Sequence, residues 1–339
     1  MSVFVTGGAG YIGSHTVLSL LEAGENVIVI DNFANSSMSA LECVKHLTGR
    51  KITFYEGDVR DSVLLNEVFK KHPEIKSVIH FAGLKSVGES VANPLEYYDV
   101  NFCGTLKLIE AMQKNHIHDF VFSSSATVYG NPSQIPLTED SCIGGTTNPY
   151  GTSKYFAEKA LNNICNINKN FNVAILRYFN PVGAHKSGMI GESPKGIPNN
   201  ILPYITQVAV GKLSSLKVFG SDYPTKDGTG VRDYIHVMDL AEGHIAALKR
   251  NKSAKNFQVY NLGTGLGYSV LDLIKNFEAV SGVKVPYEIV SRRDGDIAEC
   301  WSDPTAANKE LQWKARRDLK EMLEDAWRWQ RKNPNGYAN

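Results

Sequence analysis

The fold is decided by the N-terminal stretch VFVTGGAGYIG, residues 3–13. A short apolar run leads into a glycine cluster that satisfies both G-x-G-x-x-G and G-x-x-G-x-x-G, and an amphipathic stretch from Ile12 to Leu21 follows, with Gly24 as its stop. Strand, glycine turn and helix in this order are typical of the first βα unit of a dinucleotide-binding fold. Glycines can also serve loop geometry alone, so this interpretation depends on the residues further along the chain.

Further short apolar runs occur at intervals. They are continuous and rich in β-branched and aromatic residues, and they lie at Val27–Ile30, Ile52–Phe54, Val78–Phe81, Phe120–Phe122 and Val173–Leu176. Strands without polar alternation are those buried on both faces, as in a parallel sheet covered by helices. We therefore predict an α/β fold with a doubly wound parallel (Rossmann) sheet.

The sequence changes character after about residue 180. Gly- and Pro-rich loops at 180–203 and 219–230 alternate with helical periods near Met238–Leu248, Val270–Val280 and Leu319–Trp327. We predict a dinucleotide-binding domain at residues 1–180 and a smaller, loop-rich α/β substrate lobe at residues 181–339, with some segments returning to the first domain. Because ligands bind outside the carboxyl ends of parallel strands, the site is expected between the two lobes.

Composition excludes several classes of protein. The 339 residues are 42% hydrophobic and carry a formal net charge of +1, without a basic stripe that would indicate nucleic-acid binding. No basic leader and no apolar run near ~18 residues stands out, so neither secretion nor a membrane span is expected. The five cysteines are scattered without C-x-x-C, and the histidines (His80, His236, His116 and His118) show no metal pattern. We expect a cytoplasmic protein without a metal site.

An acidic residue supports the dinucleotide interpretation. Asp31 stands at the end of the second predicted strand, where a carboxylate can accept both hydroxyls of the adenosine ribose. The same carboxylate would repel a 2′-phosphate. The cofactor predicted from this position is therefore NAD and not NADP.

A second group of residues predicts chemistry. Asn148-Pro149 supplies a cap and a first-turn proline for a helix, on which Tyr150 and Lys154 lie four positions apart and share a face. A tyrosine is a poor base at neutral pH unless a nearby cation favours its phenolate, and Lys154 would be that cation. A surface i,i+4 pair is the alternative. The hydroxyls of Ser123–Ser125 at a predicted strand end favour catalysis, since one could hold a substrate oxygen while Tyr150 takes its proton.

Six segments carry a resemblance to the extended short-chain dehydrogenase/reductase family and to its UDP-sugar 4-epimerase branch. They are residues 5–15 (VTGGAGYIGSH), 80–85 (HFAGLK), 123–130 (SSSATVYG), 150–154 (YGTSK), 177–181 (RYFNP) and 232–237 (RDYIHV). The resemblance implies reversible epimerisation at C4 of UDP-glucose and UDP-galactose through a transient 4-keto sugar and bound NAD. Tyr150, Lys154 and Ser125 would be the catalytic residues. It also implies a homodimer formed through helices near Leu95–Asn115 and Tyr150–Asn166.

The resemblance also assigns binding residues. The cofactor would be bound by Gly7, Gly10, Tyr11, Ile12, Gly13, Asp31, Asn32, Asn35, Ser36, Asp58, Val59, Phe81, Ala82, Gly83, Lys85, Asn101, Tyr150, Lys154 and Phe179. The UDP-sugar would be bound by Ser125, Ala126, Thr127, Tyr150, Asn180, Asn200, Ile201, Lys217, Val218, Phe219, Arg232, Arg293, Asp296 and Cys300. Arg232 and Arg293 have guanidinium groups suited to a diphosphate, although an isolated arginine is more often a surface charge.

Cys300 stands where the family has a gate beside the C2 substituent of the sugar. A small residue there implies room for an N-acetyl group, and hence turnover of UDP-N-acetylglucosamine and UDP-N-acetylgalactosamine as well. The alternative is that Cys300 only fills a buried apolar space.

Two other functions remain possible from the sequence. A nucleotide-sugar 4,6-dehydratase would share the fold and the oxidation step, but it needs an acid–base pair where this chain has Ala126 and Thr127. A non-catalytic NAD-sensing protein would bind cofactor and would have no need of Tyr150 and Lys154. Fold alone does not decide between these functions.

Overall fold

The strand that precedes the glycine turn, Ser2–Thr6, is buried along its whole length at the centre of a parallel sheet. The computed structural model describes residues 2–251, 256–293 and 295–337. Its strands are β1 (Ser2–Thr6), β2 (Asn26–Asp31), β3 (Thr53–Glu56), β4 (Ile75–His80), β5 (Asp119–Ser125), β6 (Asn172–Tyr178), β7 (Asn180–Val182), β8 (Leu216–Phe219), β9 (Val231–His236), β10 (Phe257–Leu262), β11 (Gly267–Ser269), β12 (Tyr287–Val290) and β13 (Glu299–Cys300).

The helices lie between these strands or, for the last two, after them. They are α1 (Tyr11–Glu22), α2 (Met38–Thr48), α3 (Ser62–Lys71), α4 (Val87–Ala92), α5 (Pro94–Tyr97), α6 (Gly104–Lys114), α7 (Pro149–Ile167), α8 (Ile201–Ala209), α9 (Val237–Asn251), α10 (Val270–Ser281), α11 (Thr305–Glu310) and α12 (Leu319–Lys332). A π-helical turn spans Tyr98–Cys103, and a 3₁₀ turn spans Ala126–Tyr129.

The main sheet is parallel throughout. In the described part of the chain its order is β3-β2-β1-β4-β5-β6-β10. The strand order reverses at β1, because β2 and β4 lie on opposite sides of it. This topology brings the loops after β1, β2 and β4 to one crevice, where such folds bind ligands. The predicted fold class is confirmed.

Helices cover both faces of this sheet. On one face the core includes Val17 and Leu20 of α1 with Leu240 and Leu248 of α9. On the other face it includes residues of α3, α6 and α7: Leu65, Val68, Phe69, Leu108, Ile109, Met112, Ala157 and Leu161. Burial of strands from both sides accounts for their unbroken apolar sequences.

A smaller lobe lies beside the carboxyl edge of the sheet. Strand β9 pairs with β7, β11 and β13, while β8 pairs with β12. Helices α8, α10 and α12 pack with β8 around a third core that contains Leu202, Ile205, Phe277, Leu323 and Trp327. Ser269 begins α10 with a reciprocal capping box to Asp272, which satisfies two main-chain N–H groups at that helix start.

Two features of the sheet differ from the sequence-based expectation. The third strand is shifted from Ile52–Phe54 to Thr53–Glu56, and β10 was not anticipated. β10 continues the main sheet beside β6, and α9 packs against α1, so both return to the first half. A domain boundary at residue 180 stays a prediction, with β7 beginning at Asn180.

Among the described residues, no helix combines the length and apolar character needed to cross a bilayer. Within the same ranges, no cluster of three or more His, Cys, Asp or Glu side chains is arranged to hold a metal ion.

Candidate functional site

The glycine turn between β1 and α1 has no room for side chains on its inner side. A Cβ at Gly13 would lie 2.1 Å from the Gly7 oxygen, and one at Gly7 would lie 2.6 Å from the Ala82 nitrogen. A Cβ at Gly10 would lie 3.3 Å from the Gly7 oxygen. Gly13 is therefore required for packing inside the protein, whereas a methyl group at Gly10 would make a close contact that a small shift can relieve.

The start of α1 is suited to an anion. Gly10 is its N-cap residue and provides no side-chain hydrogen bond to the first turn. Free N–H groups and the helix dipole at such a terminus favour a phosphate. Tyr11, the first helical residue, donates from its hydroxyl to the Gly183 oxygen at 2.7 Å, and Ile12 packs against the core beneath.

Asp31 ends β2 with its carboxylate beside the glycine turn. Oδ2 accepts from the Ala9 nitrogen at 3.0 Å, while Oδ1 accepts from the Phe33 nitrogen at 2.9 Å and from Ser36 Oγ at 2.7 Å. The carboxylate is thus fixed by two loops at the edge where a ribose would lie. Asn35 is exposed on the same loop.

A second acidic residue lies next to this loop. Asp58 accepts from Asn32 Nδ2 at 3.0 Å and forms an ion pair with Arg60 at 2.8 Å. The hydrogen bonds from Arg60 lower the pKa of Asp58 to about 2, so this carboxylate stays ionised. Val59 is buried in the core, which leaves its main chain as the part available to a ligand.

The loop after β4 forms the middle of the crevice. The nitrogens of Phe81 and Ala82 are held by Thr6, through its main-chain oxygen and its Oγ1 respectively. A Cβ at Gly83 would lie 2.9 Å from Asn101 Oδ1 and 3.7 Å from Lys154 Nζ. Asn101 is buried in the π-helical turn. Its side-chain oxygen accepts a hydrogen bond from the Leu84 nitrogen, and its side-chain nitrogen donates one to the Leu84 oxygen. The two regions predicted separately as cofactor-binding and catalytic therefore meet at Gly83.

Helix α7 positions the predicted reactive pair. Its first turn is capped by Asn148, which accepts from the Gly151 nitrogen at 2.8 Å, with Pro149 next as predicted. Lys154 is buried and donates from Nζ to the Ser123 oxygen at 2.8 Å. Tyr150 is half-buried, and Ser125 lies within reach of its hydroxyl. Tyrosine, lysine and serine therefore converge at the carboxyl end of β5.

Burial shifts both titrating groups toward their neutral forms. It raises the pKa of Tyr150, an effect partly offset by the hydrogen bond with Ser125. It also lowers the pKa of Lys154 from 10.5 to about 8, partly offset by the negative charge of Glu158. Neutral pH lies below that value, so Lys154 remains a cation, four residues along the same helix from Tyr150. Ser125 also accepts from the nitrogen and Oγ1 of Thr127, which orients its hydroxyl.

Sequence reasoning missed the residues that support this pair. Tyr178 donates to Ser123 Oγ, and Ser124 donates to Glu158, which forms a buried ion pair with Arg177 at 2.7 Å. The available signal was strand order, because β5 and β6 pair in register with Ser125 opposite Tyr178. Residues at the ends of neighbouring parallel strands share one edge, so the segment RYFNP could have been placed here.

The smaller lobe contributes the predicted substrate side. Phe179 is buried, Asn180 begins β7, and Asn200 precedes Ile201 at the start of α8. Asn200 Nδ2 donates to Glu192 Oε1 at 2.6 Å, and Lys85 Nζ donates to the same oxygen at 2.9 Å. A residue from each predicted binding set is thus held by one carboxylate, which sequence reasoning did not single out.

Two arginines lie further out in the smaller lobe. Arg293 pairs with Asp296 at 2.9 Å, and its guanidinium lies 4.7 Å from the centre of the Phe219 ring. Arg232 Nη1 donates to the Val231 oxygen at 2.8 Å. A cavity of about 250 Å³ is lined by Asn131, Thr147, Tyr223, Pro224, Arg292, Gly295, Asp296, Ile297 and Ala298. Along β8, Lys217 is exposed, and the Val218 side chain is buried in the third core.

Cys300 lies in β13 opposite Arg232 of β9. It is buried in an apolar cluster with Ala126 and Phe179, and burial raises the pKa of its thiol to about 11. The cluster therefore joins the 3₁₀ turn after Ser125 to the smaller lobe.

Comparison with known proteins agrees with this geometry. A family model described as GDP-mannose 4,6 dehydratase matches residues 4–326. A curated UDP-glucose 4-epimerase of Haemophilus influenzae is 60% identical over 339 residues, which covers 100% of both chains. The chain belongs to the UDP-glucose 4-epimerase family.

Solved structures of this family superpose closely on the chain. One is UDP-glucose 4-epimerase from Bifidobacterium longum in complex with NAD+ and UDP, with a TM-score of 0.97 and 53% identity, covering 99% of this chain and 100% of that one. Another is the enzyme from Stenotrophomonas maltophila with bound NAD and formylated UDP-arabinopyranose, with a TM-score of 0.96 and 48% identity, covering 98% of this chain and 99% of that one. The family resemblance stated from the sequence is confirmed.

Proposed function

We propose that the protein is an NAD-dependent isomerase that reversibly epimerises UDP-glucose and UDP-galactose at C4. One observation carries the proposal: the Tyr150 hydroxyl meets Ser125 while Lys154 lies beside Gly83, at the middle of the dinucleotide crevice. Tyr150 as proton acceptor and Lys154 as cation would therefore lie next to the part of the crevice that a hydride-accepting cofactor would occupy.

The residues fit NAD on structural grounds. Gly10 puts no side chain at the start of α1, where free N–H groups suit a pyrophosphate, and Asp31 offers carboxylate oxygens to a ribose. The carboxylate also disfavours a 2′-phosphate. When bound, NAD supplies the acceptor and later the donor of the C4 hydride.

The chain's own side chains would handle the proton. Ser125 would hold the C4 oxygen, and Tyr150 would remove its proton as a general base. Lys154 would stabilise the tyrosinate that this requires, and the Ser123 oxygen would keep the ammonium in place. After the 4-keto sugar has turned, its other face would receive the hydride at C4, which inverts the configuration, and Tyr150 would return the proton to the C4 oxygen.

The nucleotide half would be held by the smaller lobe. Arg232 and Arg293 are the cations for the diphosphate, and Phe219 with Asp296 would face the uridine. Support comes from the pairing of Arg293 with Asp296 over the Phe219 ring, which fixes the guanidinium plane.

The dehydratase alternative lacks the groups it needs. Elimination of water requires an acid–base pair beside the C4 oxygen, and the residues after Ser125 are Ala126 and Thr127, of which Thr127 already donates to Ser125. A pure NAD sensor leaves the buried lysine unexplained. Burying a cation costs free energy, and buried groups with shifted pKa values are typical of catalytic sites.

One assay tests the proposal. Purified protein is incubated with UDP-galactose and no added cofactor, and UDP-glucose is measured by chromatography. We expect equilibration of the two sugars, together with NAD in the supernatant after denaturation. A 4-keto-6-deoxy product would instead identify a dehydratase, and bound NAD without turnover would indicate a sensor.

Substrate range is a finer proposal. Cys300 is small and adjoins the cluster that contains Ala126, so it leaves more room than a tyrosine would at this position. UDP-N-acetylglucosamine and UDP-N-acetylgalactosamine are therefore proposed as further substrates.

We also propose a cytoplasmic homodimer. All five cysteines are free, which fits a reducing compartment. Leu95 is 82% exposed, and Phe156 is 42% exposed and stacks with Tyr98 at 6.1 Å. These apolar side chains from α5 and α7 favour self-association of the surface that the family resemblance indicates.

A further inference from the structure

The segment between β7 and α8, residues 183–200, is here called the strap. Its two ends lie in the smaller lobe, yet it bonds repeatedly to the first half of the chain. Two strap residues accept hydrogen bonds: Gly183 from the Tyr11 hydroxyl, and Glu192 from Lys85. Two others donate: Lys195 to the main-chain oxygens of Phe33 and Ala34, and Asn199 to Ser86 Oγ.

These partners lie in the connections that follow three different strands. Tyr11 follows β1, Phe33 and Ala34 follow β2, and Lys85 and Ser86 follow β4. The loops after these three strands surround the crevice at the point where strand order reverses. A segment bonded to all three must run across the open side of that crevice.

The other side of the strap is fixed to the C-terminal region. Trp329 Nε1 donates to the main-chain oxygen of Glu192 at 3.1 Å, and the main-chain nitrogen of Gly191 donates to the Tyr337 hydroxyl at 3.2 Å. Arg328, Lys332 and Asn333 donate to the main-chain oxygens of Lys186, Ser187 and Gly188. Residues 186–193 therefore have a firm support on α12 and the residues after it.

Glu192 joins the supported part of the strap to the crevice. Its side chain is 10% exposed, and one oxygen, Oε1, accepts from both Lys85 and Asn200. Lys195 and Asn199, which make the remaining bridges of the second half, are exposed. Lys85 and Glu192 carry opposite charges, and charge-assisted hydrogen bonds are stronger than neutral ones, so Glu192 is the principal attachment of this half of the strap.

We propose that Glu192 is a positioning residue that fastens the strap across the crevice and so retains the cofactor between catalytic cycles. This rests on the proposed function, since a cofactor that is regenerated in each cycle gains nothing from being released. Glu192 would act through Lys85 and the strap, without touching the reacting atoms.

The test measures cofactor release directly. NAD-loaded protein is diluted into alcohol dehydrogenase and ethanol, which reduce each released NAD molecule to NADH, and the NADH absorbance gives the release rate. We expect Glu192→Ala to release NAD about tenfold faster, because the bond from Lys85 across the crevice is lost together with the bond from Asn200 that steadies the carboxylate. Glu192→Gln keeps an acceptor oxygen and should fall between Ala and wild type. Glu110→Ala removes an exposed carboxylate on α6 and should match wild type.

A second readout does not depend on the cofactor. Trypsin cleavage after the exposed Lys195 should be faster in Glu192→Ala than in wild type or Glu110→Ala. An unchanged release rate in Glu192→Ala overturns the proposal, and slower release does so too, since the carboxylate would then merely repel phosphate. If wild-type protein carries no NAD and is inactive, the proposed function itself is wrong; NAD-loaded, active protein with unchanged release overturns the strap alone.

Discussion

The ammonium group of Lys154 donates a hydrogen bond to the main-chain oxygen of Ser123, and its Nζ lies 5.0 Å from the centre of the Phe122 ring. Both partners belong to β5, so the strand that ends in Ser125 also holds the cation. The lysine is therefore fixed in place before any ligand arrives, and its charge is kept where water cannot screen it.

This burial predicts a pH-dependent stability. The folded pKa of Lys154, about 8, lies below its ordinary value of 10.5, so the unfolded chain binds the proton more tightly. The resulting penalty is complete below pH 8 and disappears as pH rises through 10.5. In cofactor-free protein, Lys154→Met should therefore raise the free energy of unfolding by about 1–2 kcal/mol near neutral pH, after allowing for the unpaired Ser123 oxygen. Urea unfolding of both proteins from neutral to alkaline pH checks this; an advantage that does not shrink with pH contradicts it.

Removing the base should separate binding from chemistry. Tyr150→Phe should lower kcat by roughly 10²-fold or more and leave KM for UDP-galactose nearly unchanged, since general-base catalysis contributes about 10²–10⁴. The control is Tyr155→Phe, one residue beyond Lys154 on the same helix. Near wild-type turnover in Tyr150→Phe would show that another group takes the proton.

Alanine substitutions at two glycines of the same turn should affect different properties, one the stability of the fold and the other the binding of NAD. Gly13→Ala puts a Cβ 2.1 Å from the Gly7 oxygen and should destabilise cofactor-free protein by about 2 kcal/mol or more. Gly10 has an ordinary extended backbone, and its Cβ would meet the Gly7 oxygen at 3.3 Å, a close contact that a small shift can relieve, so Gly10→Ala should lose less stability than Gly13→Ala but carry little NAD. Thermal unfolding of cofactor-free protein and NAD content distinguish the two. Full NAD content in Gly10→Ala would show that the pyrophosphate does not bind at the start of α1.

The two arginines of the smaller lobe should affect mainly binding. Arg232→Ala and Arg293→Ala should raise KM for UDP-galactose by about tenfold or more with a smaller effect on kcat, because the diphosphate is held alike in ground and transition states. Arg316→Ala removes an exposed arginine beyond α11 and serves as the control. Unchanged kinetics in both variants would place the diphosphate elsewhere.

The size of residue 300 should decide tolerance of an N-acetyl group. Cys300→Tyr should lower kcat/KM for UDP-N-acetylgalactosamine selectively and leave UDP-galactose largely unaffected, because a clash in a packed pocket is costly whereas spare room loses only contact energy. Cys300→Ala, which also stays small, should keep both reactions. Equal slowing of both substrates by tyrosine, or no acetylated turnover in wild type, excludes Cys300 as the gate.

Much of the first half could be predicted because its signals are local. The glycine turn, the cap at Asn148, the stop at Gly24 and the unbroken apolar runs each specify one element, and the predicted helix α1 agrees within a residue at each end. The fold class can be inferred from their order. Tyr150 and Lys154 can be paired since they share one helix face.

The rest depends on contacts between distant parts of the chain. β10 joins β6 over a separation of 84 residues, from Val173 to Phe257, and no local pattern specifies that pairing. Glu192 lies in a loop with no periodicity, and its partners Lys85 and Asn200 are brought to it only by the folded strap. Strand register would have placed Tyr178 at the site; loop contacts of this kind leave no comparable signal.

The position of β10 at the edge of the main sheet constrains biosynthesis. A nascent chain that has emerged only as far as β6 presents the outer edge of that strand unpaired, with Val173 and Ile175 beside exposed main-chain groups. Such an edge is a template for pairing with another chain. About eighty more residues must leave the ribosome before β10 covers it. A fragment ending at residue 180 is therefore expected to aggregate, whereas one extended through Leu262 can complete its sheet.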